Sequence, residues 1–262
     1  MPLLAPRQPI GVGIALGILG PTELTMIAYS YLCNTWWFVG EHDRALDDAR
    51  YCLARARDRG DPYTLALALL VMARTHLIRR DPPDTIRAPC LEMLATAGAE
   101  VWHSHARSYL AAANSHATPL DDTEAGELIA QLHTRLRNAM GQTVVALPVL
   151  DALQRAGRVA QALAIADEML AFCASHEERI VEPELIRIRG ELIEASDRAG
   201  AEAAYRTAHA NAAAMGAHSF ALRAAMNLVE LGCADGAQLA RAALAQIRST
   251  TAEVEAARQR VA

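Results

Sequence analysis

Apolar residues recur at steps of three and four positions along most of this chain. One segment carries the stripe Ala45, Ala49 and Cys52, and a later segment repeats the stripe with Ala162 and Ala166. This spacing lines one face of an α-helix, and a period of two would be needed for a strand. Because the stripe residues are small, they let a second helix approach closely. The pattern therefore predicts paired amphipathic helices.

Helix-stopping turns separate these segments at regular intervals. The turns lie at or beside Gly40, Asp81, Gly157, Gly200 and Gly236. They are spaced by about forty residues or about twice that distance, and a period of about forty residues holding two helices is typical of helical hairpin repeats. We therefore expect an all-α fold, an α-solenoid of about six helix-turn-helix hairpins.

The apolar stripes and turns together predict the bounds of each pair. The pairs are 22–39 with 42–58, 62–80 with 84–97, 99–114 with 122–139, 143–156 with 158–175, 182–196 with 200–214, and 218–231 with 235–248. Pro148 is expected to kink the first helix of the fourth pair. Residues 1–21 form an N-terminal extension, residues 22–250 the solenoid, and residues 251–262 a polar helix of the kind that caps open solenoids.

Composition supports the helical interpretation and excludes several functions. Aromatic residues make up only 5% of the chain, and alanine and leucine dominate its apolar fraction. All 25 basic residues are arginine, so chemistry that needs a lysine ammonium, such as a Walker-type phosphate loop or a Schiff base, is excluded. The formal net charge of −5 leaves no basic stripe, so we expect no direct binding of nucleic acid.

Cysteine usage and hydropathy indicate the compartment. The five cysteines lie far apart without a CxxC pair, which fits a reducing compartment better than a disulfide framework. The apolar run from Ile10 to Leu19 is too short to span a membrane, and a signal peptide there remains an alternative. We therefore expect a cytoplasmic protein without membrane contact.

Several segments resemble a known family. The stretch YLCNTWWFVGEHDRALDDARYCLARARDRGDPYTLALALLVMARTHLIRRDP looks like the C-terminal tetratricopeptide (TPR) region of large bacterial multidomain regulators, and EPELIRIRGELIEAS and AEAAYRTAHANAAAMGAHSFALRAAMNL are similar to the same region. Those regulators are signal-transduction ATPases that often carry a nucleotide-cyclase-like or DNA-binding domain. The resemblance implies a right-handed solenoid of TPR-like hairpins and a role in regulation. The ATPase and effector domains have no counterpart here, so the chain is either a fragment or a separate module.

In such solenoids the first helix of each pair lines the concave groove, where ligands usually bind. Helical spacing indicates which side chains of these first helices face the groove. By this spacing one end of the groove is aromatic and apolar and the other end is charged. The candidates are Asn34, Trp37, Phe38, Met72, Thr75, Arg79, Trp102, His105, Tyr109, Asp151, Arg155 and Arg187, with Glu184, Glu191 and Glu194 beside them.

The aromatic candidates have a second interpretation. Trp36 and Trp37 point about 100 degrees apart on a helix, so both cannot face the core. We assign Trp36 to packing and Trp37 to the groove or to a seam between repeats. Trp37 and Trp102 are equally compatible with plain solenoid core, because aromatic residues supply much of any core.

The histidines and charged residues favour no catalytic or metal site. His103 and His105 are two positions apart and cannot share one ion on a helix, so a metal site would need His105 with His116 or His133 and a nearby acid. We expect no metal and no cofactor. The spacing of Glu184, Arg187, Arg189, Glu191 and Glu194 is that of helix salt pairs, either on a solvated face or between repeats.

Three functions follow in order of preference. The first is a protein- or peptide-binding scaffold, the sensing or relay module of a bacterial regulator, with an amphipathic helix or extended peptide in the groove. The second is a small-molecule sensor with an apolar ligand between Trp37, Met72 and Trp102. The third is an enzyme that has recruited the groove, with His105 as acid or base beside Tyr109 or Asp151. A homodimer is left open.

Overall fold

The computed structural model describes residues 24–98, 102–137 and 143–262, and within these ranges it contains helices and no strand. The predicted extension 1–21 lies outside the described residues, as do the predicted start of the first helix, the start of the fifth helix and the end of the sixth. The helices are α1 Leu24–Phe38, α2 His42–Arg59, α3 Pro62–Ile78, α4 Pro83–Ala95, α5 His103–Asn114, α6 Asp122–Arg137, α7 Leu147–Arg155, α8 Val159–His176, α9 Glu182–Ile193, α10 Arg198–Ala214, α11 His218–Glu230, α12 Gly236–Leu244 and α13 Ala252–Val261.

These helices confirm the predicted all-α pairs, and helices begin at the capping and proline residues that the sequence shows. Asp61 caps α3 by accepting a hydrogen bond from the Thr64 amide at 2.8 Å, and Pro62 occupies the first helical position. In the fourth pair a 3₁₀ turn, Thr143–Ala146, gives way to α7 just before Pro148, so the predicted interruption is present.

The hairpins pack in chain order in two layers. The first helices of the pairs form the inner layer: α1 contacts α3, α3 contacts α5, α5 contacts α7, and α9 contacts α11. The Gln154 side-chain amide of α7 donates to the Glu191 carboxylate of α9 at 3.3 Å, and this hydrogen bond joins α7 to α9, the remaining neighbours in the inner layer. The second helices lie outside them, and their stripes of small residues are fully buried, as predicted for Ala45 and Ala162.

The inner layer closes on itself, because α11 of the last pair packs against α1 of the first. The Trp37 and Phe220 rings meet edge to face at 5.1 Å, and the Ser219 hydroxyl donates to the Trp37 carbonyl oxygen at 2.6 Å. The Arg248 amide donates to the Gly40 carbonyl oxygen at 3.1 Å. We call this set of contacts between the two ends the closure.

Gly40 is required at the closure for two reasons. Its φ of +89° lies in the left-handed region that favours glycine. A Cβ atom added there would also lie 2.9 Å from the Ile247 Cα atom, which is closer than such atoms approach. The segment before α13 can therefore reach the first turn only because position 40 has no side chain.

The terminal helix α13, which was predicted to cap the solenoid, also contacts the first half of the chain. Val254, Ala257 and Val261 are buried in the main core cluster, and Glu253 pairs with arginines from α11 and from the turn after α3. The helix therefore completes the closure. Within the described residues, no helix combines the length and apolar character that crossing a bilayer requires.

Candidate functional site

A charged cleft lies on the inner layer, between the turn after α3 and helices α9, α11 and α13. It consists of two pockets, which we call the first and second openings, with volumes of about 600 Å³ and about 450 Å³. Both are lined by Arg80, Arg187, Glu191 and Arg223. We call this region the central cleft. Asp151 and Arg155 line only the second opening and form an ion pair at 3.1 Å.

The floor of the central cleft is a buried network of arginines and glutamates. The Glu184 carboxylate accepts hydrogen bonds from Arg187 at 2.8 and 3.0 Å and from Arg223 at 3.1 Å. Arg223 also donates to both oxygens of Glu253, at 2.7 and 3.0 Å. Arg187 donates to Glu191, which also accepts from the Asn227 amide at 3.1 Å. The network joins α9, α11 and α13.

The network is held in its ionised form. Burial alone would raise the pKa of Glu184, but the positive charges of Arg187 and Arg223 outweigh burial and lower this pKa to about 2. The same pairing raises the pKa of Arg187 against the opposing effect of burial. The Glu184 and Arg187 side chains are each only 4% exposed, and Arg223 of the next pair reaches Glu184, so this part of the pattern pairs between repeats. Arg189 lies on a more exposed face, where it pairs with Asp167 at 2.7 Å.

Arg80 enters the cleft from an unusual backbone conformation. Its φ is +56°, in the left-handed region, and its amide donates to the Leu77 carbonyl oxygen at 3.0 Å in the turn that ends α3. The corresponding turns of three other pairs have the same hydrogen bond and place Gly40, Gly157 and Gly232 at this position. A side chain there costs about 1 kcal/mol that glycine avoids.

The Arg80 side chain is the accessible cation of the network. It is 50% exposed, whereas Arg187 is 4% exposed and Arg223 is 7% exposed. It pairs with Glu253 at 3.0 Å. The positive charge of Arg223 has the largest effect on the pKa of Arg80 and lowers it. The negative charge of Glu253 opposes this effect, and burial lowers the pKa further. The Arg80 guanidinium therefore has both a like charge, Arg223, and an opposite charge, Glu253, beside it.

The structure brings three of the twelve predicted groove residues together in the central cleft: Asp151, Arg155 and Arg187. Arg79, by contrast, is buried at the closure, where it donates to the His42 carbonyl oxygen and to Asp81. Thr75 is fully buried and bonds its own helix at the Val71 carbonyl oxygen. Whether any of the twelve binds a partner stays a prediction.

The aromatic end does not line an open groove. Trp37 is fully buried in the seam between α1 and α11, so of its two assigned positions the seam is the one observed, and Phe38 packs against the same Phe220 ring. Trp36, assigned to the core, is only partly buried, and its indole N–H donates to Asp48 at 3.0 Å. The buried face of α1 is thus rotated by one position from the predicted face.

The remaining candidates are spread over separate clusters. Met72 packs with Cys33 and Leu46 in one core cluster, while Trp102 packs on Tyr63 in another. The apolar site predicted between Trp37, Met72 and Trp102 is therefore not formed, because the three side chains occupy three clusters. Asn34 is also buried, with no partner for its Oδ1 atom.

The histidines are likewise kept apart. His105 is partly buried, with its ring centroid 5.5 Å from that of Trp102. His116 lines the second opening of the central cleft, and His133 pairs with Glu168 at 2.9 Å on the outside. Burial first, and the charges of Arg135 and Arg74 next, lower the pKa of His105 to about 3. In the ranges described, no three metal-binding side chains converge.

Sequence reasoning missed Arg80, Arg223 and Glu253. Arg223 and Glu253 act through contacts between α11, α13 and α3, which no local pattern encodes. Arg80 had a signal, because alignment of the repeat turns places it where other pairs carry glycine. No family model matches the chain, and no curated protein matches it. The resemblance to TPR regions of bacterial regulators stays a prediction.

Proposed function

We propose that the protein is a right-handed, TPR-like solenoid that binds a protein or peptide partner, and that it serves as the sensing or relay module of a bacterial regulator. The chain-order packing of hairpins in two layers supports the repeat assignment. The segments that resemble the TPR regions of such regulators support the regulatory role. The central cleft is the proposed binding surface.

Arg80 is the observation that carries this proposal. Its ion pair with Glu253 is half exposed and contributes at most about 1 kcal/mol, which only offsets the cost of about 1 kcal/mol for the left-handed backbone. Glycine at this position would give the same turn without the strain. An unfavourable residue retained in a cleft is the pattern expected of a binding residue.

The chemistry of the cleft favours an acidic segment of the partner. A half-exposed guanidinium is accessible to an anion, and arginine holds a carboxylate through two parallel hydrogen bonds. Arg155 lies along the second opening and offers a further cation once its pair with Asp151 is exchanged. The partner would therefore present aspartate or glutamate to Arg80.

A small-molecule sensor is the second candidate, and the size of the two openings favours it. Volumes of about 600 and about 450 Å³ lie within the range of small-molecule sites. The charged lining points to a small anionic molecule rather than the apolar ligand expected from the sequence. For the enzymatic alternative, a His105 pKa of about 3 is far from the value that suits acid–base catalysis near neutral pH.

A peptide-display selection on the immobilised protein tests the proposal. We expect the enriched peptides to contain aspartate or glutamate and to bind in a fluorescence anisotropy titration. Arg80→Gly should weaken binding about tenfold or more, because a charge-assisted hydrogen bond is worth about 1.5–3 kcal/mol. Its melting temperature should equal or exceed that of the wild type, because the turn strain is relieved.

The control is Arg50→Ala, which removes an exposed cation from α2, away from the central cleft. It should bind the selected peptide like the wild type. Equal binding by Arg80→Gly and the wild type would refute Arg80 as the anchor. A selection that yields no peptide, together with stabilisation of the wild type but not of Arg80→Gly by small carboxylates, would favour the small-molecule sensor.

A further inference from the structure

One face of α1 is exposed although the equivalent face of α3 is buried. The two helices end in the same turn. The Gly40 amide donates to the Trp37 carbonyl oxygen at 3.1 Å after α1, and the Arg80 amide donates to the Leu77 carbonyl oxygen at 3.0 Å after α3. Residues forty positions apart in the two helices are therefore equivalent, and the two faces can be compared residue by residue.

On α3 this face is part of the core. Ala68 and Thr75 are fully buried, and Val71 is 1% exposed. The preceding outer helix covers this face, since Ala68 shares a core cluster with Cys52 and Ala56 of α2. Helices α5, α7, α9 and α11 likewise contact the outer helix before them. An inner helix of this fold therefore has a face that the preceding outer helix covers.

On α1 the equivalent residues are Ala28, Tyr31 and Thr35, and we call them the α1 face. All three are exposed, and Tyr31 is 46% exposed. Within the part of the chain that the structure describes, no helix precedes α1 to cover this face. A single exposed apolar side chain is ordinary, but a helix face that forms core in the next repeat indicates an interaction surface.

The residues before α1 match the outer helix that covers α3. The run Ile10–Leu19 consists of glycine, alanine, valine, leucine and isoleucine alone. Gly20 follows this run, and forty positions later Gly60 ends α2 with a φ of +68°. The run is therefore equivalent to residues 50–59, the half of α2 that covers Ala68.

We propose that the segment Ile10–Leu19 of this chain docks on the α1 face, in the place that residues 50–59 take beside α3. Residues 20–23 are the whole connection to α1, so the segment is next to its docking face along the chain. Docking removes the apolar surface of the segment and of Tyr31 from water. None of the residues that line the central cleft belongs to α1, so this docking does not rest on the proposed partner binding.

Side-chain sizes support this register. Val71 of α3 lies in a core cluster against which Leu53 of α2 packs. The equivalent residues are Tyr31 on the α1 face and Gly13 in the segment. A larger side chain on α1 thus faces a position that has no side chain, and packed helices alternate large and small residues in this way.

Nitration of the whole chain by tetranitromethane, followed at each tyrosine by mass spectrometry, tests the docking. Leu16→Asp places a charge at the position equivalent to the buried Ala56. Tyr31 should then react about tenfold faster than in the wild type, where the segment must first detach. Ile18→Asp is the matched control, because the equivalent residue of α2 is already an exposed aspartate, Asp58, and Tyr31 should react as in the wild type.

Two further readouts complete the test. Tyr109 is 3% exposed in α5 and should react slowly in every variant, which shows that the fold is intact. The protection of Tyr31 should not change with protein concentration, because its cover belongs to the same chain. Protection that is lost on dilution would assign the α1 face to a second copy of the chain and overturn the proposal. Equal rates at Tyr31 in the wild type and Leu16→Asp, or equal acceleration by the two variants, would also overturn it.

Discussion

The closure should make the protein less stable as the pH falls, because of His42. This imidazole is 1% exposed, and its Nε2 atom lies 2.6 Å from the Ser219 hydroxyl. Since that hydroxyl already donates to the Trp37 carbonyl oxygen, Nε2 carries the proton and donates. The Nδ1 atom is buried and has no partner among the residues that the structure describes, so protonating it would place an unfavourable cation in the closure.

The size of the effect follows from the pKa of His42 in the two states. Burial is the largest cause that lowers it from 6.5 to about 4; Glu253 opposes this effect, and the charges of Arg223 and Arg79 add to it. The unfolded chain therefore binds the proton below pH 6.5, and the folded protein binds it only below about pH 4. The free energy of unfolding is highest above pH 6.5 and decreases towards about pH 4.

Urea unfolding followed by circular dichroism at about pH 7.5 and about pH 5.5 measures this loss. His42 should cost about 1.4 kcal/mol between these values, before carboxylates begin to protonate. His105, whose pKa is lowered to about 3, should add a similar amount, and the lowered pKa values of His116 and His209 act in the same direction, so the wild type should lose at least about 3 kcal/mol.

The variant His42→Gln separates the two contributions. Its amide keeps a donor for Ser219 and cannot titrate, so the loss of stability on acidification should shrink by about 1.4 kcal/mol. His176→Gln changes an exposed histidine of α8 and should behave like the wild type. If His42→Gln loses as much stability as the wild type does, the buried neutral imidazole is not the origin of the acid sensitivity.

Two further predictions concern packing. In α9, a Cβ atom at Gly190 would lie 2.6 Å from the Tyr205 ring, so Gly190→Ala should lower the free energy of unfolding in urea by about 1–3 kcal/mol. In the control Gly126→Ala in α6, the added Cβ atom meets nothing within 4 Å, so the free energy of unfolding should rise by about 1 kcal/mol. Ala45 is fully buried, so Ala45→Phe should overpack the first hairpin and cost about 1–3 kcal/mol; an unchanged melting temperature would contradict the assigned repeat register.

The helix pairs were predictable because their signals are local. The second helix of the first pair was predicted at 42–58 and is found at His42–Arg59, and that of the fourth pair was predicted at 158–175 and is found at Val159–His176. Small residues at three- and four-residue steps and glycine turns determine such elements within a few turns of chain. The prediction of an all-α fold with paired helices required nothing more.

The closure was not predictable from the same signals. His42 and Ser219 are 177 positions apart, and their contact depends on how much each hairpin is rotated from the previous one. A small rotation error summed over six pairs decides whether the two ends meet, and apolar periodicity does not report it. Trp37 was therefore assigned to a groove, a seam or the plain core without a reason to choose, and the structure buries it in the core between α1 and α11.

The central cleft could be predicted from the sequence only in part. Arg187 was found because helical spacing projects it to the inside, yet its burial depends on Arg223, which arrives from the next pair of helices. Arg80 escaped because helical projection does not apply to a turn. In the sequence, only its place at the turn where other pairs carry glycine distinguishes it, and the structure adds that the φ at this place is left-handed.

The central cleft and the closure share residues, and this has a consequence for the proposed relay role. Glu253 of α13 pairs with Arg80 at the turn after α3 and with Arg223, whose guanidinium also donates to the Ile78 carbonyl oxygen at 2.6 Å. A partner carboxylate on Arg80 competes with Glu253 for the same guanidinium. Because coupling between two sites is reciprocal, an acidic ligand that loosens α13 must bind more tightly when α13 is already displaced. Binding in the cleft would thus change the contacts at the junction between the first and last hairpins.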